Sequence, residues 1–151
     1  AERAERQMTI FHHNMGELMY FAPRWDSIDP VGLVDKYVAH NGFNTEYVFR
    51  RRPEIFLLPS MKMDRITEYN AEMVSDVSAT LVADPRMASW EYIGFYPDLY
   101  FGLHGRMHYL VRRDVLAEFP WARKILIERL RLRIHPDFLM PQNIAPYHSK
   151  K

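Results

Sequence analysis

Four small or polar residues follow short apolar segments of the kind that form buried strands. They are Asn14, Gly16, Asp29 and Ser60. In an open parallel sheet, ligands bind at the carboxyl ends of the strands. We therefore predict that these four residues contact a sugar or a phosphate at one edge of a sheet. Gly16 would let backbone N–H groups approach such a ligand, or it only makes a tight turn.

Two carboxylates near this predicted edge have more than one possible role. Asp29 precedes Pro30, so its side chain either contacts a sugar or accepts hydrogen bonds from the next loop in an Asx turn. Asp35 is either a second ligand-binding carboxylate or a partner for the dipole of the following helix. A pair of carboxylates would suit glycoside hydrolysis only if they were separated by about 5–10 Å.

Seven histidines and no cysteine limit the metal chemistry that is available. The absence of cysteine excludes disulfides, thiolate metal sites and a cysteine nucleophile. His104 and His108 have the spacing of helical zinc ligands, but Met107–Val111 has the composition of a strand. His12 and His13 are adjacent and are expected on opposite faces of a strand. We predict neither a metal nor a cofactor.

Common catalytic sequence motifs are missing from the chain. There is no Gly-x-Ser-x-Gly elbow, no phosphate-binding loop and no Gly-x-Gly-x-x-Gly fingerprint. Ordinary hydrolase, nucleotidase and dehydrogenase functions are therefore disfavoured.

Two groups of basic residues stand out in a chain whose net charge is only +1. The segment Arg50–Arg52 is predicted to be a solvated helix end. The second group comprises Arg112, Arg113, Arg123, Lys124, Arg129, Arg131 and Arg133, which surround Trp121, Ile125, Leu130 and Leu132. It suits a membrane surface or an anionic headgroup, and it suits the charged outer face of a packed helix equally well. The small net charge argues against nucleic acid as a partner.

Alternating strands and helices have to position all of these residues. The predicted strands are Thr9–His13, Trp25–Ile28, Glu54–Leu58, Trp90–Tyr96 and Met107–Val111, and the clearest helix is Ile66–Leu81. This order predicts an α/β fold in which helices cover a mainly parallel sheet, the first three strands being parallel neighbours. The last helix, Trp121–Glu128, is expected to run into a short extended end at Arg129–Ile134.

The length of 151 residues favours a single soluble domain over residues 1–151. No segment approaches the ~20 apolar residues that span a bilayer. The first six residues form a charged run that we expect to be helical, and we expect no signal peptide among them. We therefore expect the chain to be a fragment of a longer protein whose other part carries any membrane spans.

Three segments resemble a known family of proteins. They are Gly16–Phe21, Ile28–Asp35 with the sequence Ile-Asp-Pro-Val-Gly-Leu-Val-Asp, and Arg52–Ser60. They are similar to the soluble C-terminal domain of polytopic bacterial glycosyltransferases that use polyprenyl-phosphate sugars, including arabinofuranosyl- and mannosyltransferase-like proteins. The resemblance covers about the first 60 residues and extends weakly to the Tyr-x-x-Arg-Arg-Asp segment Tyr109–Asp114. The chain departs from the family pattern at His12–His13, Pro30 and Glu54.

The resemblance implies a non-catalytic role, because the acid or base that acts on the donor lies in the membrane half of such transferases. This domain would bind a glycan acceptor or dock on that half, on the periplasmic face of a bacterial inner membrane. One alternative is a free-standing α/β enzyme that acts on a sugar or sugar phosphate with Asp29 as acid or base. Another is an interaction module that presents the aromatic loop Tyr92–Tyr100.

Overall fold

The computed structural model describes residues 7–13, 20, 23–60, 68–97, 106–130 and 132–133. Its elements in chain order are β1 (Thr9–Phe11), β2 (Asp26–Ile28), α1 (Lys36–Asn41), α2 (Thr45–Arg51), β3 (Ile55–Ser60), α3 (Glu68–Ala83), a 3-10 helix (Pro85–Ser89), β4 (Trp90–Pro97), β5 (Arg106–Arg112), α4 (Arg113–Glu118) and α5 (Pro120–Arg129). None of the helices within these ranges is long and apolar enough to cross a bilayer. The chain has an α/β fold.

The five strands form one mixed sheet in the order β2-β1-β3-β5-β4. Strand β1 lies between β2 and β3 and runs parallel to both, which confirms the prediction that the first three strands are parallel neighbours. Strand β5 runs antiparallel to both β3 and β4, so the prediction of a mainly parallel sheet is wrong. Only residues 98–105 join β4 to β5. Such a connection suits a hairpin, whereas a parallel crossover needs a dozen or more residues.

Both faces of the sheet are covered by helices. On one face, α2 and α3 pack against a cluster of buried aromatic rings, as predicted for the long helix. Phe56 is at the centre of this cluster, with its ring centroid 5.3 Å from that of Phe11 and 5.1 Å from that of Trp90. On the other face, α4 and α5 pack against β4 and β5 around Val111 and Val115. Strand β3 is buried on both faces, which explains its continuous apolar sequence.

The chain after α5 returns to the edge of the sheet. Helix α5 ends at Arg129, and Arg133 forms an antiparallel bridge with Phe95, with N–H···O distances of 2.7 and 2.6 Å. Gly94 allows this approach, because a Cβ at its φ of +155° would lie 2.8 Å from the carbonyl oxygen of Arg133. The predicted helix with an extended end is confirmed for the described residues.

Candidate functional site

The predicted ligand-binding edge is only partly covered by the structure. Two of its positions, Asn14 and Gly16, lie outside the described residues. The register of β1 with its two neighbours sets Ile28 level with Phe56. Ser60 therefore lies three positions beyond the level of Asp29, about 10 Å along the strand axis and two strands away. The structure does not bring Asp29 and Ser60 together.

Asp29 holds the loop that follows β2. Its carboxylate is fully buried and accepts hydrogen bonds from three backbone N–H groups. Oδ1 accepts from Val31 at 2.9 Å, and Oδ2 accepts from Leu33 at 2.7 Å and Val34 at 3.1 Å. Of the two roles predicted for Asp29, the Asx turn is the one found. Both oxygens are engaged by the backbone, which leaves the carboxylate without access to a sugar.

The same loop packs tightly on α1 and ends in a helix cap. At Gly32, where φ is +81°, a Cβ would lie 2.9 Å from the backbone N and Cα of Ala39. Asp35 caps α1, because its Oδ1 accepts from the backbone N–H of Tyr37 at 2.9 Å. Its Oδ2 accepts from the hydroxyl of Tyr47 at 2.9 Å. Asp35, like Asp29, is engaged within the structure, by a helix cap and by a tyrosine hydroxyl.

The loop and the first turn of α1 present apolar side chains to solvent. Leu33 is 79% exposed and Val34 is 57% exposed, and Val31 and Tyr37 are exposed as well. We call these four residues the apolar loop surface. The backbone beneath it is held by Asp29 and by the cap at the start of α1. Exposed apolar side chains on a firmly held loop are a feature of docking surfaces.

Of the predicted membrane-surface residues, Arg123, Lys124 and Arg129 lie on α5, and Arg131 is outside the described residues. Arg123, Lys124 and Arg129 are exposed, and so are Trp121 and Ile125. Trp121, Ile125 and Arg129 are spaced four apart and share one face of the helix. Two of the cations pair with carboxylates: Arg123 with Glu91 at 3.0 Å and Lys124 with Glu128 at 4.0 Å.

The two adjacent histidines after β1 are in contact with each other. Their rings stack with centroids 5.1 Å apart and an interplanar angle of 16°. The expectation that His12 and His13 point to opposite faces is wrong, because the strand ends at Phe11 and its alternation does not reach them. Burial, with a smaller contribution from His12, lowers the pKa of His13 from 6.5 to about 3.

The lowered pKa of His13 predicts a loss of stability in mild acid. The unfolded chain takes up a proton on His13 below about pH 6.5 and the folded chain does not, so stability falls with pH from there toward 3. Between pH 7.5 and 5 the loss is about 2 kcal/mol. Urea unfolding of a His13→Gln variant should show this part of the pH dependence removed. A His40→Gln variant, which lacks an exposed histidine instead, should keep it.

Of the two late histidines with zinc-ligand spacing, only His108 lies within the described residues. His108 is buried in β5, with its Nδ1 3.2 Å from the hydroxyl oxygen of Tyr92, and His104 is outside the described residues. Among the residues that the structure describes, there is no group of three or more potential ligands that could hold a metal ion.

A second site lies at the other end of the strands, where the carboxyl end of β5 meets the amino end of β3. The two segments are about sixty residues apart in the chain. Arg112 at the end of β5 forms an ion pair with Glu54 before β3, at 3.1 Å, and both side chains are buried. The Arg112 guanidinium also donates to the carbonyl oxygen of Arg52 and, at 2.7 Å, to Asp114. Arg112 and Arg52 lower the pKa of Asp114, the hydrogen bond from Arg112 having the largest effect.

This network forms one wall of an open cleft of about 630 Å³. The lining residues are Phe49, Arg52, Arg86, Ala88, Ser89, Trp90, Arg112, Arg113 and Asp114. We call it the arginine cleft, since four arginines and one aspartate give its lining a formal charge of +3. It exists because the antiparallel pairing of β5 sets the carboxyl end of β5 beside the amino end of β3. Arg52 was expected in a solvated helix end, and Arg112 and Arg113 in the basic group facing a membrane. For Arg112 that expectation is wrong, because its side chain is buried against Glu54. The cleft was not predicted.

Comparison of the chain with protein-family models, with curated protein sequences and with solved structures gave no match. The function is therefore inferred from the geometry of the apolar loop surface and the arginine cleft, together with the family resemblance of three sequence segments.

Proposed function

We propose that this chain is an extracytoplasmic domain of a membrane glycosyltransferase and that it docks on the membrane half of the same protein. The resemblance of Ile28–Asp35 and Arg52–Ser60 to such domains is the sequence basis of the proposal. The observation that carries it is the apolar loop surface, which is formed by the most family-like segment and is exposed at the end of β2.

Docking is favoured over acceptor binding because of how this segment uses its polar groups. Both carboxylates, Asp29 and Asp35, are engaged within the loop and its helix cap. The groups left for a partner are the apolar side chains of Leu33, Val34 and their neighbours. Burying apolar surface against a partner is favourable by about 25 cal/mol per Å². A sugar, with its many hydroxyl groups, would gain little from such a surface.

The exposed face of α5 is proposed to contact the membrane surface. Trp121 and Ile125 supply apolar side chains, and Lys124 and Arg129 supply positive charges beside them. This combination is typical of helices that lie in a bilayer interface. The proposed location is the periplasmic face of a bacterial inner membrane, and the donor sugar phosphate is handled by the membrane half.

Transfer activity of the intact membrane protein tests the proposal. A Leu33→Asp/Val34→Asp variant is expected to lower transfer from a polyprenyl-phosphate sugar at least about tenfold, because two charges would have to be buried at the docking surface. The isolated variant domain should remain folded, with a melting temperature lowered only slightly by repulsion from Asp29 and Asp35, since both side chains are exposed. The matched control is Thr80→Asp, which adds a charge on the exposed side of α3.

A photoreactive residue at position 33 gives a second readout. It should cross-link to the membrane-spanning part of the same polypeptide, and one at position 80 should not. Full transfer activity in the double aspartate variant, without a cross-link from position 33, would exclude docking through this surface.

A further inference from the structure

We propose that the arginine cleft binds an anionic saccharide, a sugar that carries a phosphate or a carboxylate, with Arg52 and Arg113 contacting the anionic group. This inference goes beyond the proposed function, because it depends only on the cleft and would hold for any role of the domain. The shared chemistry of the two ligand types is an oxyanion, which the planar fork of an arginine matches with two parallel hydrogen bonds.

The positive charge of the cleft arginines is matched by carboxylates in and around the walls of the cleft. Arg86 pairs with Asp84 and Glu46, Arg112 pairs with Glu54, and Arg113 lies 3.5 Å from Glu91. These pairs fix three of the guanidinium groups in place.

Arg52 is the cleft arginine that these carboxylates engage least. Its nearest carboxylate oxygen is on Asp114, at 3.7 Å, beyond hydrogen-bonding distance, and Asp114 is already bonded to Arg112 at 2.7 Å. The Arg52 side chain is 69% exposed, and that of Arg113 is 61% exposed. Two guanidinium groups therefore remain accessible to an anion that enters from solvent.

The backbone of Arg52 supports a role for its side chain. Among the described residues it is the one non-glycine residue with a positive φ, at +47°. This left-handed conformation is unfavourable for a residue with a Cβ and is adopted by glycine without cost. Arginine at this position gives up stability that glycine would provide. Arg52 adopts this conformation because it ends α2, where a left-handed residue commonly stops a helix and is usually glycine. At this helix end the chain carries an arginine whose side chain lines the cleft.

The remaining polar groups of the cleft suit the hydroxyl groups of a sugar. The Asp114 carboxylate can only accept hydrogen bonds, so a bare anion would be repelled there, whereas a hydroxyl can donate to it. Ser89, which is exposed at the end of the 3-10 helix, can both donate and accept. A volume of about 630 Å³ is in the range of small-molecule sites and far exceeds the size of a phosphate ion.

Calorimetric titration of the purified chain tests the proposal with four probes. Glucose 1-phosphate and glucuronate each carry an anionic group on a sugar, methyl glucoside carries none, and inorganic phosphate lacks the sugar. We expect at least one of the two anionic sugars to bind at least about tenfold more tightly than methyl glucoside or inorganic phosphate. Binding should weaken with added salt. Whichever of the two binds more tightly identifies the anionic group.

The decisive variant is Arg52→Gly. Its melting temperature should equal or exceed that of the original chain, because glycine relieves the left-handed backbone, and its affinity for the anionic sugar should fall at least about tenfold. Arg52→Gln should lose affinity to the same extent. The matched control, Arg50→Gln, removes an exposed arginine of α2 that does not line the cleft and should bind normally.

Several results would overturn the proposal. They are the binding of neither anionic sugar, equal binding of methyl glucoside or inorganic phosphate, unchanged affinity in Arg52→Gly, and a clear fall in the melting temperature of that variant. The last result would mean that Arg52 serves the folded structure instead of a ligand.

Discussion

An Arg112→Met variant is expected to lose about 3–5 kcal/mol of unfolding free energy, because it leaves the Glu54 carboxylate buried without its partner. The two side chains are buried and lie 3.1 Å apart. The Arg112 guanidinium also donates to the carbonyl oxygen of Arg52, so its removal leaves a second polar group unsatisfied. Urea unfolding followed by circular dichroism would measure the loss as a lower midpoint.

Two further variants separate the buried charge from other effects. Arg113→Met removes the neighbouring arginine, whose side chain is exposed, and should change stability by no more than about 0.5 kcal/mol. Glu54→Leu combined with Arg112→Met removes both charges and should recover part of the loss. Recovery will be incomplete because Glu54 also accepts the backbone N–H of Thr9, at 2.7 Å. Equal stability of Arg112→Met and Arg113→Met would show that the buried pair contributes nothing.

The parallel half of the sheet was predictable because local pattern and burial agree there. The continuous apolar segment that became β3 is buried on both faces, as its composition indicated. The helical segments between the first three strands allowed parallel connections, and β1 does pair in parallel with both neighbours. Pattern alone does not encode direction, however. Only the short connection between β4 and β5 pointed to an antiparallel pair, and the sequence prediction did not weigh it.

The sequence was less informative about the sites, for two different reasons. At Asp29 it supported both a ligand role and an Asx turn, and only the three backbone hydrogen bonds decided between them. At the arginine cleft, the contributing segments lie far apart in the chain, so no local motif could reveal it. Glu54 was the available signal, because a carboxylate at the start of a buried strand needs a cationic partner. Asn14 and Gly16 remain predictions.

An Asp29→Ala variant is expected to lose about 3 kcal/mol of unfolding free energy. Hydrogen bonds to a charged group contribute about 1.5–3 kcal/mol each. The loss stays well below the sum for three bonds, because Val31, Leu33 and Val34 lie on an exposed loop where water can reach the freed N–H groups. Asp76→Ala, which removes an exposed carboxylate from α3, is the matched control and should cost no more than about 0.5 kcal/mol.

Hydrogen exchange distinguishes local opening of the loop after β2 from a general loss of stability. In Asp29→Ala, hydrogen exchange should speed up by a larger factor at the amides of Val31, Leu33 and Val34 than at the amides of the core strand β3. Local opening of the loop costs less free energy in this variant, because there are no hydrogen bonds to the carboxylate left to break. The proposed docking function requires this rigidity, because a loose loop would lose conformational entropy on binding. If exchange in the loop and in β3 rises by the same factor, Asp29 stabilises the fold as a whole and does not specifically hold the apolar loop surface.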